Sequence, residues 1–172
     1  MMQGNPDMAA TGPAAAIPVV VTLIMAMLML LPVGSGAASV VLPHLVMISV
    51  FYWASNRPLL MPYGAVAFIG FVLDLWLDVP LGLNMLLLLL ARLFVMGQIK
   101  YYRGRSRLAY WGVFTLMSVG LYGLSWLIVS LVGGRFWTVA PLAMEWLVTV
   151  LAYPLVTLLF SRLRRSLMAR SG

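Results

Sequence analysis

Of the 172 residues, 63% are hydrophobic and 9% charged, against about 25% charged in an ordinary soluble domain, so a water-soluble surface cannot be assembled from this chain. Four acidic residues, one histidine and no cysteine exclude disulfides, thiolate catalysis, cysteine-ligated metals and a multi-histidine zinc site. The formal charge of +7, in a chain of mean hydropathy +1.04, reports membrane topology and not a nucleic-acid partner.

Apolar residues come in continuous blocks and not in alternating segments of about ten, so the spans are helices and not barrel strands. Residues 1–13, with Gly4, Pro6, Gly12 and Pro13 and a single charge at Asp7, read as a disordered tail. The first span covers residues 14–31, with Pro18 in its first turns, where a missing amide costs least, and Pro32 closing it. The small residues Gly34-Ser35-Gly36-Ala37-Ala38-Ser39 imitate a signal-peptide cleavage site, but no Lys or Arg precedes the run and the run is long. It is therefore read as a turn after a retained span.

The second span covers residues 40–54, short for a bilayer, with Pro43 and His44 near its start, and residues 55–58 form a polar turn. The third covers 61–77, and Asp78-Val79-Pro80 turns the chain into the fourth, 81–98, as a tight hairpin. Residues 100–107 are a basic loop, the fifth span covers 108–132, and Gly133-Gly134-Arg135 is the next turn. The sixth span, 138–160, contains Pro141 and Pro154, and a basic tail follows with Arg162, Arg164, Arg165 and Arg170. The expected organisation is thus an all-α polytopic membrane protein: a cytoplasmic tail at 1–13, a six-helix transmembrane domain at 14–160 and a basic cytoplasmic tail at 161–172.

Charge tests this arrangement, because Lys and Arg stay on the cytoplasmic side of short loops. With six spans, Arg57, Lys100, Arg103, Arg105, Arg107 and the four tail arginines share a side with both termini, and only Arg135 lies opposite. Nine basic residues against one indicate that both termini are cytoplasmic; a five-span chain that fuses or drops one of the first two helices would also leave the basic loop and tail inside.

An ionisable group at bilayer depth costs about 2.5 to 3.5 kcal/mol on the insertion scale, so each requires a reason. Asp74 lies about 6 Å below the turn between spans three and four. It is either a contact for a partner, proton or cation, or a carboxylate that caps the neighbouring hairpin. Arg92, about 18 Å from the same turn, is offset from Asp74 by about 12 Å and is expected to snorkel to the cytoplasmic interface beside Lys100. Glu145 sits near the start of span six, where a carboxylate is favoured, and His44 reads as interfacial. Gly64, Gly70, Gly112, Gly120 and Gly123 are expected to let helices approach closely. Tyr52-Trp53, Tyr101-Tyr102, Tyr110-Trp111 and Phe136-Trp137 fit aromatic interface belts. Orientation alone explains the basic loop and tail; the other reading is attraction to anionic membrane lipid or an acidic cytoplasmic partner.

The segments Leu42-Pro43-His44, Phe51-Tyr52-Trp53, Arg57-Pro58, Phe68-Ile69-Gly70-Phe71-Val72-Leu73-Asp74 and Pro80-Leu81-Gly82-Leu83 together resemble the rod shape-determining protein MreD family. Its pattern has a Pro opening the second span, a Tyr-Trp closing it, a Pro in the next turn, a Gly-x-x-x-Asp in the third span and a Leu-Gly opening the fourth. The resemblance singles out Pro43, Tyr52, Trp53, Pro58, Gly70, Asp74 and Gly82 as partner-binding or structural candidates, and Arg92 joins them by its depth. It implies a multi-pass, non-enzymatic inner-membrane subunit of the bacterial elongasome, with no cofactor, no metal and no catalytic residue. The implied partner is MreC and, through it, RodA, a class B penicillin-binding protein and MreB. The family is also similar in fold to the small-molecule-binding membrane subunits of vitamin-uptake transporters.

Two functions follow. In the first, the bundle is a scaffold that receives the transmembrane helix of MreC, consistent with its few ionisable groups. In the alternative, it is a small-molecule-binding or transport subunit with Asp74, His44 and Glu145 reaching a central cavity, although spans one and five carry no charge. An enzyme has little to work with: there is no Gly-x-Ser-x-Gly and no His-Glu-x-x-His. The one close acidic pair is Asp74 and Asp78, a helical turn apart.

Overall fold

The computed structural model describes residues 16–29, 42–77, 79–102, 104 and 106–168. The N-terminal tail, the small-residue turn, Asp78 with its pairing to Asp74, Arg103, Arg105 and Arg170 lie outside the described residues. Among the described residues there are six α-helices and no strand. They are α1 (Ile17–Met29), α2 (Leu45–Asn56), α3 (Tyr63–Trp76), α4 (Leu83–Tyr102), α5 (Arg107–Val132) and α6 (Ala140–Met168), with a 3-10 turn at Pro58–Leu60. Each helix falls on one of the apolar runs. Three of them, α4, α5 and α6, are long and apolar enough to cross a membrane.

The short second run is the organising element. Every residue of α2 from Val46 to Ser55 is buried, and α1, α4 and α6 pack around it. A helix of 12 residues is about 18 Å long, well short of a hydrocarbon core of about 30 Å. Because α2 is wrapped in protein, neither end has to reach an interface, and a helix apolar on all sides is what such a position requires.

Burial of α2 revises the reading of its aromatic pair. Tyr52 and Trp53 are 7% and 3% exposed and form no interface belt. Trp53 and Tyr52 meet edge-on with ring centroids 5.3 Å apart, and Phe160 lies 5.4 Å from Tyr52 and 6.1 Å from Trp53. The adjacent Phe51 sits edge-on to Phe114 at 5.3 Å and to Tyr153 at 5.8 Å, while Phe114 and Tyr153 stack at 4.5 Å. Aromatics at the helix ends behave differently: Tyr101, Phe136 and Trp137 are exposed, and the Arg135 guanidinium covers the Trp137 ring at 3.8 Å.

The proline inside α6 has a local partner. Pro154 has no N–H, so the carbonyl of Val150, four residues earlier, loses its helical donor. Trp111 Nε1 of α5 donates to that carbonyl at 3.0 Å. The helix continues to Met168, so Arg162, Arg164 and Arg165 lie on its last turns.

The glycines do not behave alike. A Cβ added at Gly64, Gly112, Gly120 or Gly123 would meet nothing within 4 Å, whereas one at Gly70 would lie 2.5 Å from Met85 Cα and 2.7 Å from Met85 N. Among the described residues, Gly70 alone of these five mediates a close helix approach; the other four are exposed.

Candidate functional site

Gly70 and Asp74 are four residues apart and share one face of α3. The absent side chain at Gly70 brings that face onto the first turn of α4, and Asp74, 2% exposed, reaches its amides. Asp74 Oδ1 accepts from the Asn84 N–H at 2.7 Å, and Oδ2 accepts from Gly82 at 3.0 Å and Met85 at 3.2 Å. The first amides of a helix have no partner within it, and no acidic residue lies in the first turn of α4. Asp74 therefore caps a neighbouring helix and places a carboxylate at the positive end of its dipole. Gly82 has φ +91°, a backbone conformation that glycine adopts without steric cost, and this turn aims its N–H at Asp74. Gly70, Asp74 and Gly82 thus form a single joint.

A polar chain continues from this joint through the bundle. Asn84 Oδ1 lies 3.3 Å from His44 Nε2. His44 Nδ1 accepts the Met47 N–H at 3.3 Å and so caps α2; that assigns the ring proton to Nε2, which donates to Asn84. The His44 N–H donates to Thr149 Oγ1 of α6 at 2.9 Å. Thr149 Oγ1 donates to the Glu145 carbonyl at 2.7 Å, and Tyr122 of α5 donates to Glu145 Oε1 at 3.1 Å while lying 3.1 Å from Thr149 Oγ1. Five helices meet in this network. The remaining one, α1, is tied to α2 by Thr22 Oγ1 and Ser49 Oγ, 2.7 Å apart.

Of the sequence candidates, Gly70, Asp74 and Gly82 come together, and Pro43 directly precedes the His44 cap, its carbonyl accepting from Leu45 at 2.8 Å. Tyr52 and Trp53 lie apart from this cluster, in the aromatic core. Pro58 and Arg92 form a separate contact. Arg92, expected to snorkel toward Lys100, is instead 5% exposed. Its Nη2 donates to the Pro58 carbonyl at 3.1 Å, and its guanidinium carbon lies 4.3 Å from the Tyr63 ring centroid. It clasps the α2–α3 connection inside the protein, and it does not pair with Asp74. Its Nε and Nη1 are buried without a hydrogen-bond partner.

His44 is not interfacial: it is 6% exposed and central to the network. Asn84, Tyr122 and Thr149 complete the network although none of them is a group charged at neutral pH that the insertion cost singles out in the sequence. The available signal was Asn84 within Leu83-Asn84-Met85-Leu86-Leu87-Leu88, a polar side chain that such a run does not carry without a partner.

Searches of curated proteins and of solved structures return no significant match. The family model of the rod shape-determining protein MreD matches residues 13–164, nearly the whole chain, and the chain belongs to that family.

Proposed function

We propose that this chain is a non-enzymatic scaffold of the bacterial elongasome, which holds the transmembrane and juxtamembrane region of MreC and thereby supports side-wall peptidoglycan synthesis. Family membership implies the role in rod-shape determination; the rest is our reading. In it the chain traverses the inner membrane six times with both termini cytoplasmic, the short helices completed by the residues that flank them. RodA, a class B penicillin-binding protein and MreB are reached through MreC, and the arginine-rich end faces anionic lipid.

The observation that carries the helix-holding role is the outward face of α5. Gly112, Leu116, Gly120, Gly123 and Leu127 are all exposed and recur at intervals of four, four, three and four residues, which places them on one stripe. Among the described residues, nothing approaches the missing side chains of its three glycines. In lipid, where apolar contact alone gives little preference for protein over acyl chains, small residues let a second helix backbone come close enough for dense packing. The stripe itself carries no polar side chain, so packing is what this face offers a partner.

Gly120→Leu and Gly123→Leu test this reading. Both fill the stripe without touching the chain itself, so folding is expected to be unchanged while co-purification of MreC falls at least tenfold. Full retention of MreC in both variants would remove α5 as the docking face.

A further inference from the structure

The first turn of α2 lies inside the protein, and at that end of the bundle, which carries the α3–α4 and α5–α6 connections, the structure holds a cavity of about 410 Å³. This lies within the range of small-molecule sites, about 300 to 1,000 Å³. Its wall is largely Leu, Met and Val, with His44, Asn84, Tyr122, Ser125 and Glu145 as the polar members. Asp74 is not among them, since both its oxygens are occupied by α4 amides.

Two polar groups on this wall are left over. Glu145 Oε1 accepts from Tyr122, but Oε2 has no donor, and no cationic side chain pairs with this carboxylate among the described residues. Asn84 is 6% exposed and uses its N–H and Oδ1 on Asp74 and His44, while its Nδ2 donates to nothing among the described residues. A carboxylate in an apolar recess gains most from an opposing cation, and a buried amide donor from an acceptor atom.

We propose that the cavity binds a small amphiphilic organic cation. Its ammonium group meets Glu145, an acceptor such as a hydroxyl oxygen meets Asn84, and its apolar body fills the Leu- and Met-lined remainder. The network holds the wall in place: Tyr122 fixes the Glu145 rotamer, and His44, pinned by Met47 and Thr149, fixes Asn84. The proposal does not depend on the scaffold reading, since it concerns the chain by itself.

The test is isothermal titration calorimetry of the full chain in lipid nanodiscs, with empty nanodiscs as the blank for membrane partitioning. The probe is protonated 2-amino-1-phenylethanol, and 1-phenyl-1,2-ethanediol is its neutral counterpart. Saturable binding of the cation is expected, at least tenfold weaker for the diol and at least tenfold weaker in Glu145→Gln. Ser125→Phe, which fills the cavity without altering its charge, is expected to weaken the cation equally. Absence of saturable binding above the blank would overturn the proposal, and so would equal affinity for cation and diol, or undiminished binding in both variants.

Discussion

Replacing Asp74 with alanine removes, in one step, the acceptor for three amides at the start of α4. The carboxylate is 2% exposed and accepts at 2.7, 3.0 and 3.2 Å. A buried donor left unpaired costs about 1 to 3 kcal/mol. The Gly82 amide, in the turn, is the one most easily rehydrated, so two donors bear the penalty and the expected loss is about 2 to 6 kcal/mol. Asparagine keeps one oxygen for Asn84 but turns an NH2 toward the Gly82 and Met85 donors, and its expected loss is about 2 to 3 kcal/mol. Equilibrium unfolding of the purified chain by SDS in mixed micelles, followed by far-UV circular dichroism, reads both values. In cells, Asp74→Asn is expected to insert normally and to weaken rod shape. An alanine variant within about 0.5 kcal/mol of the parent, the range of an ordinary surface substitution, would refute the cap and the joint built on it.

Gly70→Ala forces a Cβ against the backbone of Met85 and is expected to cost about 1 to 3 kcal/mol by the same unfolding assay. Combined with Asp74→Ala it should fall short of additivity, because both act on one joint; strict additivity would argue for two separate sites. Trp111→Phe leaves the Val150 carbonyl without a donor at the Pro154 break and should cost about 1 to 2 kcal/mol. In a Pro154→Ala background, which restores the helical N–H, most of that cost should vanish, and an unchanged cost would show that Trp111 acts by packing alone. Thr149→Val strands the His44 amide at the head of α2 and should lower stability by about 1 to 3 kcal/mol. Early amide exchange at Leu45 to Met47 would accompany it, and exchange unchanged there would show that Thr149 does not hold the α2 start.

The helices were legible because a continuous apolar run needs only local sequence to be seen. The Gly70-x-x-x-Asp74 and Leu81-Gly82 pieces were legible as a pattern, but their meeting was not. The cap is a contact between helices, and it depends on how deeply α3 sinks onto α4. The burial of His44 is not legible for the same reason: its partner Thr149 lies 105 residues away, beyond any local periodicity. Tyr52 and Trp53 show a further limit, since an aromatic pair at a span end has the same composition whether it faces lipid or a core. The short length of the second run was the clue to the core, because a helix too short for the bilayer is at home when other helices enclose it. For Arg92, depth along α4 is legible in the sequence, and only the carbonyl of Pro58 and the ring of Tyr63 explain why it stays inside.

The central claim, that the outward face of α5 holds a partner helix, is tested most directly by disulfide crosslinking in the cysteine-free background. Single cysteines at Gly112, Leu116, Gly120, Gly123 and Leu127, each paired with cysteines along the transmembrane helix of MreC, are expected to crosslink in membranes. Cysteines at Leu155 and Leu159 on the exposed surface of α6 are expected to remain free. Efficient crosslinking from α6 with none from the α5 stripe would contradict the account.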